Sequence, residues 1–121
     1  ATAETTTSIS AFIDLTTPGP IVTVKTGERA LVFFKAHVSH TDADAVSAIS
    51  FAVSGDTTLN ASFNYSAQAD GIFTPGNKPS ICGFKYLTNL TPGDSNTFTM
   101  KYYTGATDST FELRELVVIP F

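Results

Sequence analysis

The sequence predicts an all-β domain, a two-sheet antiparallel β-sandwich of jelly-roll topology with about eight strands, and three observations lead there. Apolar and polar residues alternate at period two over runs of strand length, as in Arg29 to Ser39. Turn-forming clusters punctuate the chain at short intervals: Thr17-Pro18-Gly19-Pro20, Thr26-Gly27, Ser54-Gly55-Asp56, Thr74-Pro75-Gly76-Asn77, Thr91-Pro92-Gly93-Asp94 and Thr104-Gly105-Ala106. Only 15% of residues are charged, against roughly 25% in an average globular protein. Thr, Ser and Asn supply the remaining polarity, and together with Val, Ile and ten Phe they favour pleated strands over helices.

Taken in order, the strands are expected at Ser8 to Leu15, Ile21 to Lys25, Arg29 to Ser39, Val46 to Val53, Leu59 to Ser66, Ile81 to Leu87, Asn96 to Thr104 and Thr110 to Ile119. Residues 1–7, rich in Thr, read as a loose arm on a single domain spanning 1–121. Asp42 to Ser50 is the nearest approach to a helical pattern, and it reads as a loop entering a strand. A chain of 121 residues buries between roughly 60 and 70% of its unfolded surface, enough for one core. Cys82 is alone, so no intrachain disulfide supports that core.

Two strands carry more information than the others. Between Arg29 and Ser39 one face presents Ala30, Val32, Phe34, Ala36 and Val38, whereas the other opens with Leu31 and Phe33 before turning polar at Lys35 and His37. Near the C-terminus Phe111, Leu113, Val117 and Ile119 alternate against Glu112, Arg114, Leu116 and Val118. A strand with a second apolar face either lies under a covering loop or meets another subunit. Leaving Leu31, Phe33, Leu116 and Val118 in water forgoes roughly 1.5 to 3 kcal/mol for each side chain. These four residues are therefore the candidate oligomer interface.

Charge and motifs exclude several function classes. The net charge is -4 and the seven Lys and Arg are scattered, leaving no basic stripe for a phosphate backbone, so nucleic acid is not an expected partner. No apolar run reaches the 18 or more residues of a membrane span, and Ala1 to Ser10 lacks the basic-then-apolar order of a signal peptide. The chain is accordingly expected to be mature or made where it is used, without membrane insertion. His37, His40, Asp42 and Asp44 are the only clustered metal-type ligands, but residues three apart on a strand point to opposite faces, and no metal site is expected. Cys82 sits beside Gly83 in apolar surroundings and reads as a buried structural thiol. Glu112 and Glu115, also three apart, should face opposite sides and so cannot act as a catalytic carboxylate pair. With no nucleophile elbow either, the sequence points to a protein without catalytic groups or cofactor.

The tripeptides beginning at Asn60, Asn64 and Asn89 match the glycosylation sequon, which matters only in a eukaryotic secretory path. A sugar site needs exposed rings for the apolar sugar faces and polar groups for the hydroxyls. Phe63, Tyr65, Tyr103 and Asp108 form the candidate ligand surface on that ground, within stretches that also hold Asn64, Gln68, Asp70, Phe73 and Tyr102.

The phrases Ala30-Leu31-Val32-Phe33-Phe34-Lys35-Ala36-His37-Val38, Ile49-Ser50-Phe51-Ala52-Val53-Ser54-Gly55 and Leu87-Thr88-Asn89-Leu90-Thr91-Pro92-Gly93 resemble small jelly-roll domains of bacteriophage virion proteins, as do Asn96 to Tyr102 and the ending Arg114 to Phe121. Such domains serve as head decorations, head fibres and tail-fibre tips. More distantly, the run Gly27 to Phe34, the turn after Leu90 and the final strand are similar to the trimeric jelly roll of complement C1q and tumour necrosis factor. The resemblance spans about Ser8 to Phe121 and rests on strand-and-turn grammar. It implies a non-enzymatic homotrimeric structural protein on the virion surface, made in the host cytoplasm and contacting other virion proteins as capsid decoration or fibre component. The apolar second face would serve the threefold contact. A host-receptor or glycan-binding fibre tip, or a carbohydrate-binding module of a secreted protein, is the alternative. With no shaft or coiled coil before Ala1, a decoration or head-fibre protein is the more natural expectation.

Overall fold

A computed structural model of the chain describes residues 4–6, 11–40, 46–70, 78–105 and 109–121. Eight strands are present: β1 Glu4–Thr6, β2 Ile21–Thr26, β3 Ala30–His40, β4 Val46–Gly55, β5 Ala67–Asp70, β6 Ser80–Leu87, β7 Gly93–Thr104 and β8 Ser109–Pro120. They form two antiparallel four-stranded sheets, sheet A in the order β1-β8-β3-β6 and sheet B in the order β2-β7-β4-β5. Successive strands cross from one sheet to the other except at β4 to β5, which is the wrapping of a jelly roll.

The core forms where the inner faces meet. Val32, Phe34, Ala36 and Val38 from β3 lie against Ile49, Phe51 and Val53 from β4 and Phe98, Met100 and Tyr102 from β7. Core rings contact in two groups, Phe34 to Phe51 at 5.6 Å and, separately, Tyr102 to Phe111 of β8 at 5.0 Å between centroids. Each such ring contributes roughly 1.5 to 3 kcal/mol by leaving water. Hydroxyls close one end of the core: Ser109 bonds Ser47 at 2.8 Å and also Thr104, so no bare polar oxygen meets the rings there.

Three segments depart from the sequence reading. Glu4–Thr6, assigned to a loose arm, pair with β8 as β1. The Glu4 carboxylate accepts the Thr17 N–H at 2.8 Å and pairs at 2.9 Å with the buried Arg114 guanidinium, which fixes the strand at the sheet edge. Of the strand expected over Ser8 to Leu15, residues 8–10 lie outside the described set, and the rest contributes one bridge, Ile13 to Tyr102. The strand expected over Leu59 to Ser66 reduces to a bridge from Leu59 to Val53 and a 3-10 turn at Phe63–Tyr65, because the Ser62 hydroxyl accepts the Asn64 N–H at 3.1 Å and starts a turn instead of continuing the ladder. The pairing resumes at β5.

The largest correction concerns β8. Lys35 pairs with Glu115 but His37 pairs with Glu112, so β8 holds one more residue than β3 across this interval. That extra residue is a β-bulge, and Leu113 within it has φ of 50°. Beyond the bulge every side chain points to the face opposite the one that unbroken alternation assigns.

Candidate functional site

Leu31 and Phe33 point outward from sheet A, as expected, whereas Leu116 and Val118 do not. The bulge turns Leu116 and Val118 inward against the core and brings Val117 and Ile119 outward. The outer face is completed by β6, whose Phe84 stands opposite Phe33 and whose Tyr86 stands opposite Leu31. Among the described residues nine large apolar side chains are exposed, and Phe33, Phe84, Tyr86, Val117, Ile119 and Phe121 of these share this one face. Phe84, at 68% exposure, is the most open. The rings lie in loose pairs, Phe33 to Phe84 at 6.1 Å and Tyr86 to Phe121 at 6.2 Å, which leaves their outer surfaces for a partner.

A depression of about 490 Å³ crosses this face between Phe33, Lys35, Cys82, Phe84, Glu115 and Val117. Cys82 is exposed in it, on the outward side of β6, not buried as its apolar neighbours suggested. The inward positions are taken by Ile81 and Gly83, and the thiol occupies the alternate ones. The polar end of the face holds two ion pairs, Lys35 with Glu115 at 3.7 Å and Lys78 with Glu112 at 2.9 Å. Both carboxylates thus stand over partners on one face, where simple alternation had separated them, and the bulge is again the cause.

Sheet B carries the second candidate surface. The segment Ala11 to Leu15 runs beside β7, held by Ile13 N–H to Tyr102 carbonyl at 2.8 Å and Tyr102 N–H to Ile13 carbonyl at 2.9 Å. This places Phe12 next to Tyr103, and Phe63 from the 3-10 turn closes a three-ring cluster: Phe12 to Phe63 4.8 Å, Phe12 to Tyr103 5.6 Å, Phe63 to Tyr103 4.9 Å. The turn is pinned over β4 by the buried Ser50 hydroxyl, which donates to the Tyr65 carbonyl at 2.8 Å and accepts the Ser62 N–H at 3.3 Å. Beside the rings runs a groove of about 480 Å³, walled by Phe12 on one side and Thr58, Leu59, Asn60 and Ala61 on the other, with Ala52 and Lys101 in its floor. Lys101 Nζ pairs with Asp14 at 2.8 Å.

Of the residues expected to form a ligand surface, Phe63 and Tyr103 come together in the cluster. Tyr65 turns the other way, its ring 5.1 Å from Phe51 and packed on the core. Asp108 lies outside the described residues. Sequence reasoning missed Phe84, Tyr86, Val117 and Ile119 on one sheet and Phe12, Asp14 and Lys101 on the other. The spacing Cys82, Phe84, Tyr86 was a usable signal for the first group, whereas the second depends on a crossing segment that no local pattern encodes.

No group of three or more His, Cys, Asp or Glu is placed to hold a metal ion among the described residues, and Asp42 and Asp44 lie outside that set. The buried Tyr102 phenol, pushed up to about 12 by desolvation, donates to the Gly19 carbonyl beneath the Arg114 guanidinium. That constellation joins the N-terminal strand to the core.

No protein-family model matches the chain, and no curated protein matches its sequence. Solved structures do share its shape. A cyclase from Fischerella sp. TAU is similar with a TM-score of 0.50 and 10% identity, over 98% of this chain and 74% of that one. A chain from the structure of infectious bursal disease virus, Gx strain, gives 0.50 and 9% identity over 92% of this chain and 33% of that one. The EclA C-terminal domain, a sugar-binding protein, gives 0.48 and 10% identity, over 98% of this chain and 77% of that one. At these identities the likeness to the cyclase and to the viral chain is one of fold alone.

Proposed function

We propose that the chain is a non-catalytic structural component of a virus particle surface, a capsid decoration or fibre domain that assembles as a homotrimer through the outer face of sheet A. The observation that carries this reading is the continuous apolar face formed by Phe33, Phe84, Tyr86, Val117, Ile119 and Phe121. Free aromatic side chains expose on the order of 150–250 Å² each, so the exposed fractions add up to several hundred Å² of apolar surface. A standard interface takes ~800 Å² from each partner. At ~25 cal/mol per Å² that surface supplies on the order of 10 kcal/mol, of the same size as the ~4–15 kcal/mol cost of association. Association is therefore concentration-dependent and strengthened by everything that surrounds the patch.

The partner is a further copy of the chain, because the face contains its own complement. Apolar rows end in Lys35 and Glu115, opposite charges that exchange partners when one copy meets another. The patch also runs from β8 in the middle of the sheet to the open edge strand β6. An edge bearing Phe84 and Tyr86 can pack on the Phe33, Val117 and Ile119 surface of the next copy, the head-to-tail kind of contact that a threefold ring repeats. The placement on a particle is supported by the resemblance of the strand and turn phrases to phage virion jelly rolls.

Light scattering after size exclusion, over about 1 to 100 µM, tests the assembly. Wild-type protein is expected as a trimer in the upper part of the range, and Phe84→Lys as a folded monomer throughout, since Phe84 lies outside the core. A wild-type monomer at every concentration overturns the reading, and a stable dimer overturns the threefold contact.

A further inference from the structure

We infer that the groove on the outer face of sheet B is a binding site for a neutral saccharide. This goes beyond the assembly reading and rests on the other sheet. Three features of the groove select the ligand. Its volume, about 480 Å³, fits one or two pyranose rings and falls within the ordinary range of small-molecule sites. Its apolar elements stand on one wall and the floor: Phe12 and Ala61 line it beside Ala52, a small outward residue of β4 that leaves the floor open, whereas the Leu59 side chain, opposite Val53, packs on the core. A sugar ring offers C–H groups to such surfaces and hydroxyls around its rim.

The polar elements match those hydroxyls. Thr58 and Asn60 border the groove, and Lys101 enters its floor already paired with Asp14 at 2.8 Å. The Asp14 carboxylate, which does not itself line the groove, takes one of the three Lys101 ammonium N–H groups and leaves the others to donate to a sugar hydroxyl. Because the pair is internally neutral, it offers little to a carboxylate, sulfate or phosphate. The chemistry therefore favours uncharged sugar units over sialylated or sulfated ones. Phe12 is fixed for this role by its contacts with Phe63 and Tyr103, so the wall does not have to be ordered when ligand arrives.

The test is a titration of the full chain, followed by calorimetry or by protein NMR shifts, with neutral oligosaccharides built of glucose, galactose, mannose and xylose and with a sialylated trisaccharide as the charged comparison. The expected result is saturable binding of at least one neutral oligosaccharide. Binding should fall at least tenfold in Ala52→Arg, which fills the floor, and in Lys101→Met, which keeps an unbranched side chain one atom shorter but removes its donors. Should Ala52→Arg fail to fold, Lys101→Met with an unchanged circular dichroism spectrum decides alone. Absence of saturable binding to every neutral sugar, preference for the sialylated one, or binding that both substitutions leave intact overturns the proposal. Phe84→Lys should bind like wild type, which separates failure of this site from failure of the assembly surface.

Discussion

Gly83 sits opposite Phe34 on the inner face, and a Cβ added there would lie 2.8 Å from two atoms of the Phe34 ring. In the sequence it reads only as the neighbour of an apolar thiol; its role emerges once β6 is laid against β3 and the ring needs the space. Gly83→Val overpacks this point and is expected to cost about 1–3 kcal/mol in urea unfolding while leaving the outer face unchanged. Tyr102 is the second informative residue. Its phenol ionises near 10 in an unfolded chain but only at about 12 in the fold. A raised pKa on a group that is neutral when protonated gives stability that is complete below pH 10 and lost as pH rises through 12. The loss is on the order of 2–3 kcal/mol, and Tyr102→Phe should flatten that alkaline decline in a series of denaturation curves. Its partner Arg114 was legible only as a polar residue in an apolar strand, since Glu4 and Gly19, which it contacts, are remote in sequence.

At the scale of elements, β3 could be read in full and β8 could not. Alternation in β3 runs without interruption, so Val32, Phe34 and Val38 fell on the core side and Leu31 and Phe33 on the other by parity alone. In β8 the same parity fails after Leu113, because a bulge inserts a residue that no composition marks; glycine, the usual sign, is absent. The left-handed backbone there costs a side-chain-bearing residue roughly 1–2 kcal/mol. Leu113→Gly removes that cost, and the leucine is largely exposed, so the variant should unfold about 0.5–1 kcal/mol harder than wild type by chemical denaturation. A loss of stability would mean that Leu113 holds the bulge by packing. The segment Leu59 to Ser66 misled for a related reason: strand-forming residues there are diverted by the Ser62 cap and the Ser50 hydroxyl, partners visible only in three dimensions.

Considered whole, the molecule has two unlike outer faces on one wrapped core. Sheet B is partly roofed by its own crossing segment and turn, which bury Ala48 and Ser50 and build the groove; sheet A leaves its rings open. The fold class was legible because turns and alternation repeat along the entire chain, whereas the identity of the outward residues depended on one bulge and on an edge strand whose inner positions include Gly83 and Lys85. The central claim, that copies of the chain meet through the outer face of sheet A, can be read from Cys82, which is exposed in the depression between Phe33 and Phe84. Reaction of this thiol with a bulky disulfide reagent is followed in wild type at a concentration where it is assembled and in the Phe84→Lys monomer. Labelling at least tenfold slower in wild type is the result expected. Equal rates in the two proteins, with wild type still assembled, would place the contact on another surface and contradict the account.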